Sequence, residues 1–135
     1  MMKNVIAILS KSKMQYLATI GLDGKPKVRP FQFMFEEDGK LWFCTSNKKE
    51  VYKEIQKQPH VELCTSIEDK SWLRIKAKVV FNDNLKIKEK VFEVSPLVKG
   101  IYEVPSNPAF EVFYLEEITV SIAEIGRAPV IYSLP

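Results

Sequence analysis

Apolar and polar residues alternate along most of this chain with the two-residue period of half-buried strands. The three-to-four spacing of amphipathic helices breaks in at three places. Gln15 to Ile20 and Val28 to Phe35 flank Asp23-Gly24, and Asp38-Gly39 separates the second run from Leu41 to Thr45. Asp-Gly supplies the positive φ of a tight turn, so these runs predict a three-stranded antiparallel meander. In its middle strand Phe31, Phe33 and Phe35 share one face and Gln32 and Met34 the other. Val61 to Ile67 and Trp72 to Phe81 are further strands, the latter alternating Arg74, Lys76 and Lys78 with Leu73, Ile75, Ala77 and Val79. Ala109 to Leu115 and Ile118 to Ile125, divided by Glu116-Glu117, are read as the last two strands, before a proline-containing tail from Arg127 to Pro135.

The helical spacing appears first in residues 1 to 13, through Val5, Ile6 and Leu9. A second helix is expected from about 48 to 58, with Asn47 as N-cap, Glu50 completing a capping box, Val51 and Ile55 as its apolar stripe and Pro59 ending it. A third starts at Asp83 or Asn84, carries Leu85, Ile87, Val91 and Phe92, and ends near Ser95-Pro96; Pro105 and Pro108 then mark a loop. Six or seven alternating strands joined mostly by short turns, with two or three short helices, predict a mainly β, closed or nearly closed antiparallel barrel.

At 135 residues the chain is expected to be a single domain, residues 1–135. Twenty basic against seventeen acidic side chains leave a net charge of +3, too mild to mark a dedicated nucleic-acid binder. No apolar run reaches the ~18 residues of a membrane span, so a cytoplasmic protein without a membrane partner is expected. Cys44 and Cys64 are read as reduced core thiols, and the single His60 as a strand-edge residue that cannot complete a metal site or a histidine triad. Neither a metal nor a catalytic side chain is expected.

Candidate chemistry concentrates in Leu41-Trp42-Phe43-Cys44-Thr45-Ser46-Asn47-Lys48-Lys49-Glu50. An apolar strand ends in small polar residues, and a helix opens where two lysines sit. Cations in a first helical turn are disfavoured by about 0.3–1 kcal/mol each unless something negative is bound. Hydroxyls, backbone N–H groups and two ammoniums together suit a phosphate. Arg29 precedes Pro30, which removes a ladder donor and marks an edge or a ligand-facing break. Trp72 reads equally as interface packing or as a ligand contact.

The order strand, Asp-Gly turn, strand with Val28-Arg29-Pro30-Phe31-Gln32, turn, Leu-Trp-Phe-Cys-Thr-Ser and lysine-opened helix resembles the pyridoxamine-phosphate-oxidase-like FMN-binding split barrels. It is most similar to their small branch of nitroimidazole-resistance and general-stress flavoproteins, from about Tyr16 to Val80. The resemblance implies a Greek-key split barrel holding FMN. Arg29 would bond the phosphate or ribityl chain, Pro30, Phe31 and Gln32 would line the isoalloxazine, and Thr45, Ser46 and the adjoining Asn47 would meet the ribityl-phosphate arm. Lys48 and Lys49 would close on the phosphate. Trp72 would lie near the flavin, reaching across a homodimer interface that holds two flavin sites. The ending Tyr132-Ser133-Leu134-Pro135 lacks the basic, histidine-containing segment of the vitamin B6 oxidases, so a different small molecule is expected as substrate. An oxidoreductase on a small planar substrate such as a nitroaromatic, fed by NAD(P)H, is one reading; a flavin-binding electron carrier or redox sensor is another. Some relatives hold a deazaflavin or haem instead. A third reading, an oligonucleotide-binding barrel, rests only on the basic alternation of Arg74, Lys76 and Lys78.

Overall fold

The computed structural model describes all 135 residues. Helix α1 (Met2–Ser12) leads into a hairpin of β1 (Gln15–Ile20) and β2 (Pro26–Phe31), then a second of β3 (Phe35–Glu37) and β4 (Lys40–Ser46). Helix α2 (Glu50–Lys57) precedes β5 (His60–Glu68) and β6 (Ser71–Phe81), and α3 (Leu85–Val94) and α4 (Pro96–Tyr102) lead to β7 (Phe110–Glu124) and β8 (Val130–Ser133). All pairings are antiparallel, in the order β2-β1-β5-β6-β7-β4-β3, with β8 also on β7. The sheet curls into a barrel that does not close. No helix is long and apolar enough to cross a membrane.

The expected meander does not form. Its middle run breaks at Gln32–Met34, and the halves become β2 and β3, at opposite ends of the strand order. The fully buried Gln15 explains how the break is tolerated: its side-chain oxygen accepts from Phe33 N at 2.6 Å, while its amide donates to Leu9 O at 3.1 Å and Ser12 Oγ at 2.8 Å. A buried backbone donor that has lost its strand partner is thus satisfied by a side chain. The aromatic stripe divides at the same point. Phe31 and Phe33 pack on Phe43 inside the barrel, whereas Phe35 joins Phe92 and Phe110 in a second core.

The last two expected strands are one. Strand β7 runs through Glu116-Glu117 with a bulge at Glu117, φ 53°, where the register against Lys76 and Lys78 shifts. Two elements were not foreseen. Strand β8 lies in the tail, and α4 begins at Ser95-Pro96, where the Ser95 hydroxyl accepts from Val98 N and Pro96 takes the first turn.

The capping box at α2 is not made. Lys49 is the N-cap, without a side-chain bond, and Asn47 turns away to donate to Pro108 O at 2.7 Å and Glu111 Oε2 at 2.8 Å. Asn84 does cap α3, accepting from Ile87 N. The main core fills the barrel, with Val5 and Leu9 of α1 plugging one end and Val51 and Ile55 of α2 the other flank. A second core, built on Val91, Phe92, Val98 and Tyr102, seats α3 and α4 on β4 and β7.

Candidate functional site

Where the barrel is split, a cleft of about 230 Å³ opens between three structural units. Pro30, Phe31, Gln32 and Met34 form one side, Cys44, Thr45 and Lys49 the floor and one end, and Val98, Ile101 and Tyr102 of α4 the opposite wall, with Met14 at the rim. Five of the residues expected from sequence, Pro30, Phe31, Gln32, Thr45 and Lys49, therefore line one space. Ser46, Asn47 and Lys48 continue the same turn beyond the lining. Lys48 and Lys49 are exposed and neither forms an ion pair. The turn's own backbone donors are spent: Asn47 N donates to Ala109 O, Lys48 N to Ser46 Oγ and Lys49 N to Ser46 O. Side chains, rather than these N–H groups, are what the corner offers a ligand.

Three buried side-chain polar atoms lack a partner: Trp42 Nε1, Thr45 Oγ1 and Tyr132 Oη. Of these residues only Thr45 lines the cleft. It is 3% exposed, so an unbonded hydroxyl there costs about 1–3 kcal/mol unless a ligand meets it.

Arg29 sits differently from the expectation drawn from resemblance. Its guanidinium donates to Glu54 Oε1 at 2.6 Å, Thr19 Oγ1 at 2.7 Å and Leu17 O at 3.2 Å, and Thr19 donates to the same Glu54 oxygen at 2.7 Å. This cluster ties β2, which carries Pro30, to α2, which opens at Lys49. Trp72 stands opposite Ser66 and Ala123 on the sheet and does not line the cleft.

Electrostatics in the cleft are set by burial. The Cys44 thiol is pushed up to about 12 by loss of hydration, against which Lys49 pulls weakly downward. Burial likewise raises the Tyr102 phenol, helped by Cys44 and opposed by the neighbouring Ser46 hydroxyl. Met14, Met34, Cys44, Val98, Ile101 and Tyr102 were not foreseen as site residues. Of these, only Val98, Ile101 and Tyr102 were signalled, by the Ser-Pro start of α4, which announces a helix where a loop was expected.

A larger groove of about 550 Å³ crosses the outer sheet face over Ala18, Ile20, Glu62 and Lys76. Its size does not make it the better site: it contains none of the expected residues and no unpartnered buried polar atom. The basic residues of β6 on this face are interleaved with carboxylates, Arg74 with Glu62 at 2.7 Å and Lys78 with Glu117 at 4.0 Å.

A split, eight-stranded antiparallel barrel with a largely apolar cleft at the split, carrying Thr45 and Lys49 as its polar corner, defines the class of protein. Residues 1–121 match the family model described as pyridoxamine 5'-phosphate oxidase, and the chain belongs to that family. It is similar to a solved NimC/NimA family protein from Clostridium acetobutylicum, at 30% identity and a TM-score of 0.88 over 98% of this chain and 93% of the other. A protein related to general stress protein 26 from the same organism matches at 13% identity and TM-score 0.78, over 98% and 93% of the two chains. A pyridoxamine 5'-phosphate oxidase-related, FMN-binding protein from Nostoc punctiforme matches at 18% and 0.65, over 99% and 93%. Among curated proteins none matches.

Proposed function

We propose that the protein binds FMN at the split of the barrel and acts as an FMN-dependent oxidoreductase on a small planar molecule, nitroaromatics being the leading class, with NAD(P)H as donor. The observation that carries this reading is the unpartnered, buried Thr45 hydroxyl in a cleft ended by the unpaired Lys49. Thr45, Ser46 and the two lysines would hold the ribityl-phosphate arm, and the Pro30–Gln32 backbone the ring. Arg29 serves through Glu54, fixing β2 against α2 so that ring and phosphate contacts keep their spacing. Bound flavin supplies hydride or electron transfer; the chain supplies orientation, charge and shelter from water. The cleft lining contains no carboxylate or histidine, consistent with chemistry carried by the cofactor.

At about 230 Å³ the cleft is smaller than the roughly 300–1,000 Å³ usual for ligand sites, so the reading includes a second copy that completes the pocket. The outer face of the β1–β2 hairpin beside Pro30 exposes Tyr16 and Val28, apolar side chains suited to that role, and Trp72 lies on the same sheet. A haem-binding protein from Mycobacterium smegmatis also shares the fold, at 14% identity and TM-score 0.75 over 98% of this chain and 57% of the other. The test is therefore the absorption spectrum of the purified protein, with mass spectrometry of what denaturation releases. Flavin absorbance and the mass of FMN support the reading; a haem Soret band or a colourless protein that takes up no added FMN overturns it. NAD(P)H oxidation across a panel of acceptors then separates an enzyme from an electron carrier, which would show no turnover.

A further inference from the structure

The wall that α4 presents to the cleft has a chemistry of its own. Val98 and Tyr102, four residues apart, face the sheet and are buried, while Ile101 at the rim is 62% exposed. The Tyr102 ring is held rather than free to swing. It stacks on Phe110 at 4.6 Å, Asn107 Nδ2 donates to the Tyr102 carbonyl at 2.9 Å, and Glu103 ends the helix at φ 70°. The Tyr102 side chain lines the cleft, and the Ser46 hydroxyl lies within hydrogen-bonding reach of its phenol. Charge is confined to one end of the lining, at Lys49, and the Cys44 thiol stays neutral. A carboxylate or ammonium placed against α4 would lose water without gaining a partner. Met14 and Met34, both unbranched and polarizable, adapt to the edge of a ring.

We propose that α4 is the substrate-selecting wall of this cleft: Tyr102 donates a hydrogen bond to an uncharged, largely apolar ring that bears an oxygen acceptor, and Val98 and Ile101 cover the rest of the ring. The proposal rests on the FMN reading only in reserving Lys49 for a phosphate. Burial raises the phenol's ionisation range, so it remains a donor throughout the neutral range.

Three naphthalene probes test it on the purified protein, whose flavin content is recorded separately from its absorbance: 2-acetylnaphthalene, the near-isosteric 2-ethylnaphthalene, and 6-acetyl-2-naphthoate, which adds a carboxylate. Calorimetry or ligand-observed NMR should show the ketone binding roughly three- to tenfold tighter than the ethyl compound, as one net hydrogen bond allows, and the carboxylate weakest. Tyr102→Phe, which keeps the stacked ring, should erase the difference between the first two. Ile101→Lys, at an exposed position, should weaken the neutral probes and raise affinity for the carboxylate. Equal binding of ketone and ethyl compound by the unaltered protein, or a preference for the carboxylate, overturns the proposal even if Tyr102→Phe does not fold. If the ketone preference holds while the protein neither contains flavin nor takes up added FMN, the FMN reading fails and this assignment stands; flavin binding without the preference is the reverse.

Discussion

The Arg29 guanidinium meets the Glu54 carboxylate at 2.6 Å beneath α2, with Thr19 bonded to both. The two side chains differ sharply in exposure, 24% for Arg29 and 3% for Glu54. Removing either therefore strands the other in a different environment.

Arg29→Ala leaves a buried, unpaired carboxylate and is expected to cost about 3–5 kcal/mol. Glu54→Ala leaves an arginine that can turn toward water, and should cost less, about 1.5–3 kcal/mol. Urea unfolding midpoints check the order, and the reverse order would show that Arg29 is not the compensating charge. Because the pair acts by spacing β2 and α2, Arg29→Lys should weaken FMN and riboflavin together. A loss confined to FMN would make Arg29 a phosphate ligand instead.

Gln15 closes the break between β2 and β3 with three hydrogen bonds. Gln15→Leu keeps the volume but leaves Phe33 N without an acceptor, so about 1–3 kcal/mol of stability should be lost in chemical denaturation. Unchanged stability would mean that another group satisfies that donor.

Asn47 faces two acceptors, the Pro108 carbonyl and the Glu111 carboxylate. Asn47→Asp should therefore lower the melting temperature, although aspartate is as good an N-cap as asparagine. A melting temperature at or above that of the unaltered protein would restore the capping role.

The Cys44 thiol holds its proton to about pH 12 in the folded chain, against an ordinary 9.0. Its stabilising contribution is complete below about pH 9 and declines as pH rises toward 12, because the unfolded thiol ionises first. Between pH 8 and 10.5 the urea midpoint should fall faster for the unaltered protein than for Cys44→Ala. Parallel profiles would contradict the burial of this thiol.

Much of this architecture was legible because it is local. Asp23-Gly24 and Asp38-Gly39 turn two hairpins, and Asn84 starts α3 where its spacing predicts. What escaped depends on contacts distant in sequence. Nothing around Phe31 announces that Gln15 will break the strand, and nothing near Asn47 reveals that Glu111 competes for its amide. The run to Lys49 stood out as a candidate anion corner because its residue types sit together in sequence. The opposite wall was hidden because Ser95-Pro96 both ends α3 and begins α4, and only its second meaning brings Val98, Ile101 and Tyr102 to the cleft. Arg29 was placed by resemblance on the phosphate or ribityl chain, whereas its partner Glu54 lies twenty-five residues away on another element.

The claim that the corner at Thr45 and Lys49 holds a nucleotide phosphate is tested most directly by titrating flavin-free protein with FMN and with riboflavin, alongside the double variant Lys48→Ala, Lys49→Ala. Charge-assisted contacts of about 1.5–3 kcal/mol predict that the variant loses at least roughly tenfold in FMN affinity and less than about twofold in riboflavin affinity. Equal losses for the two ligands, or none for either, would contradict the account.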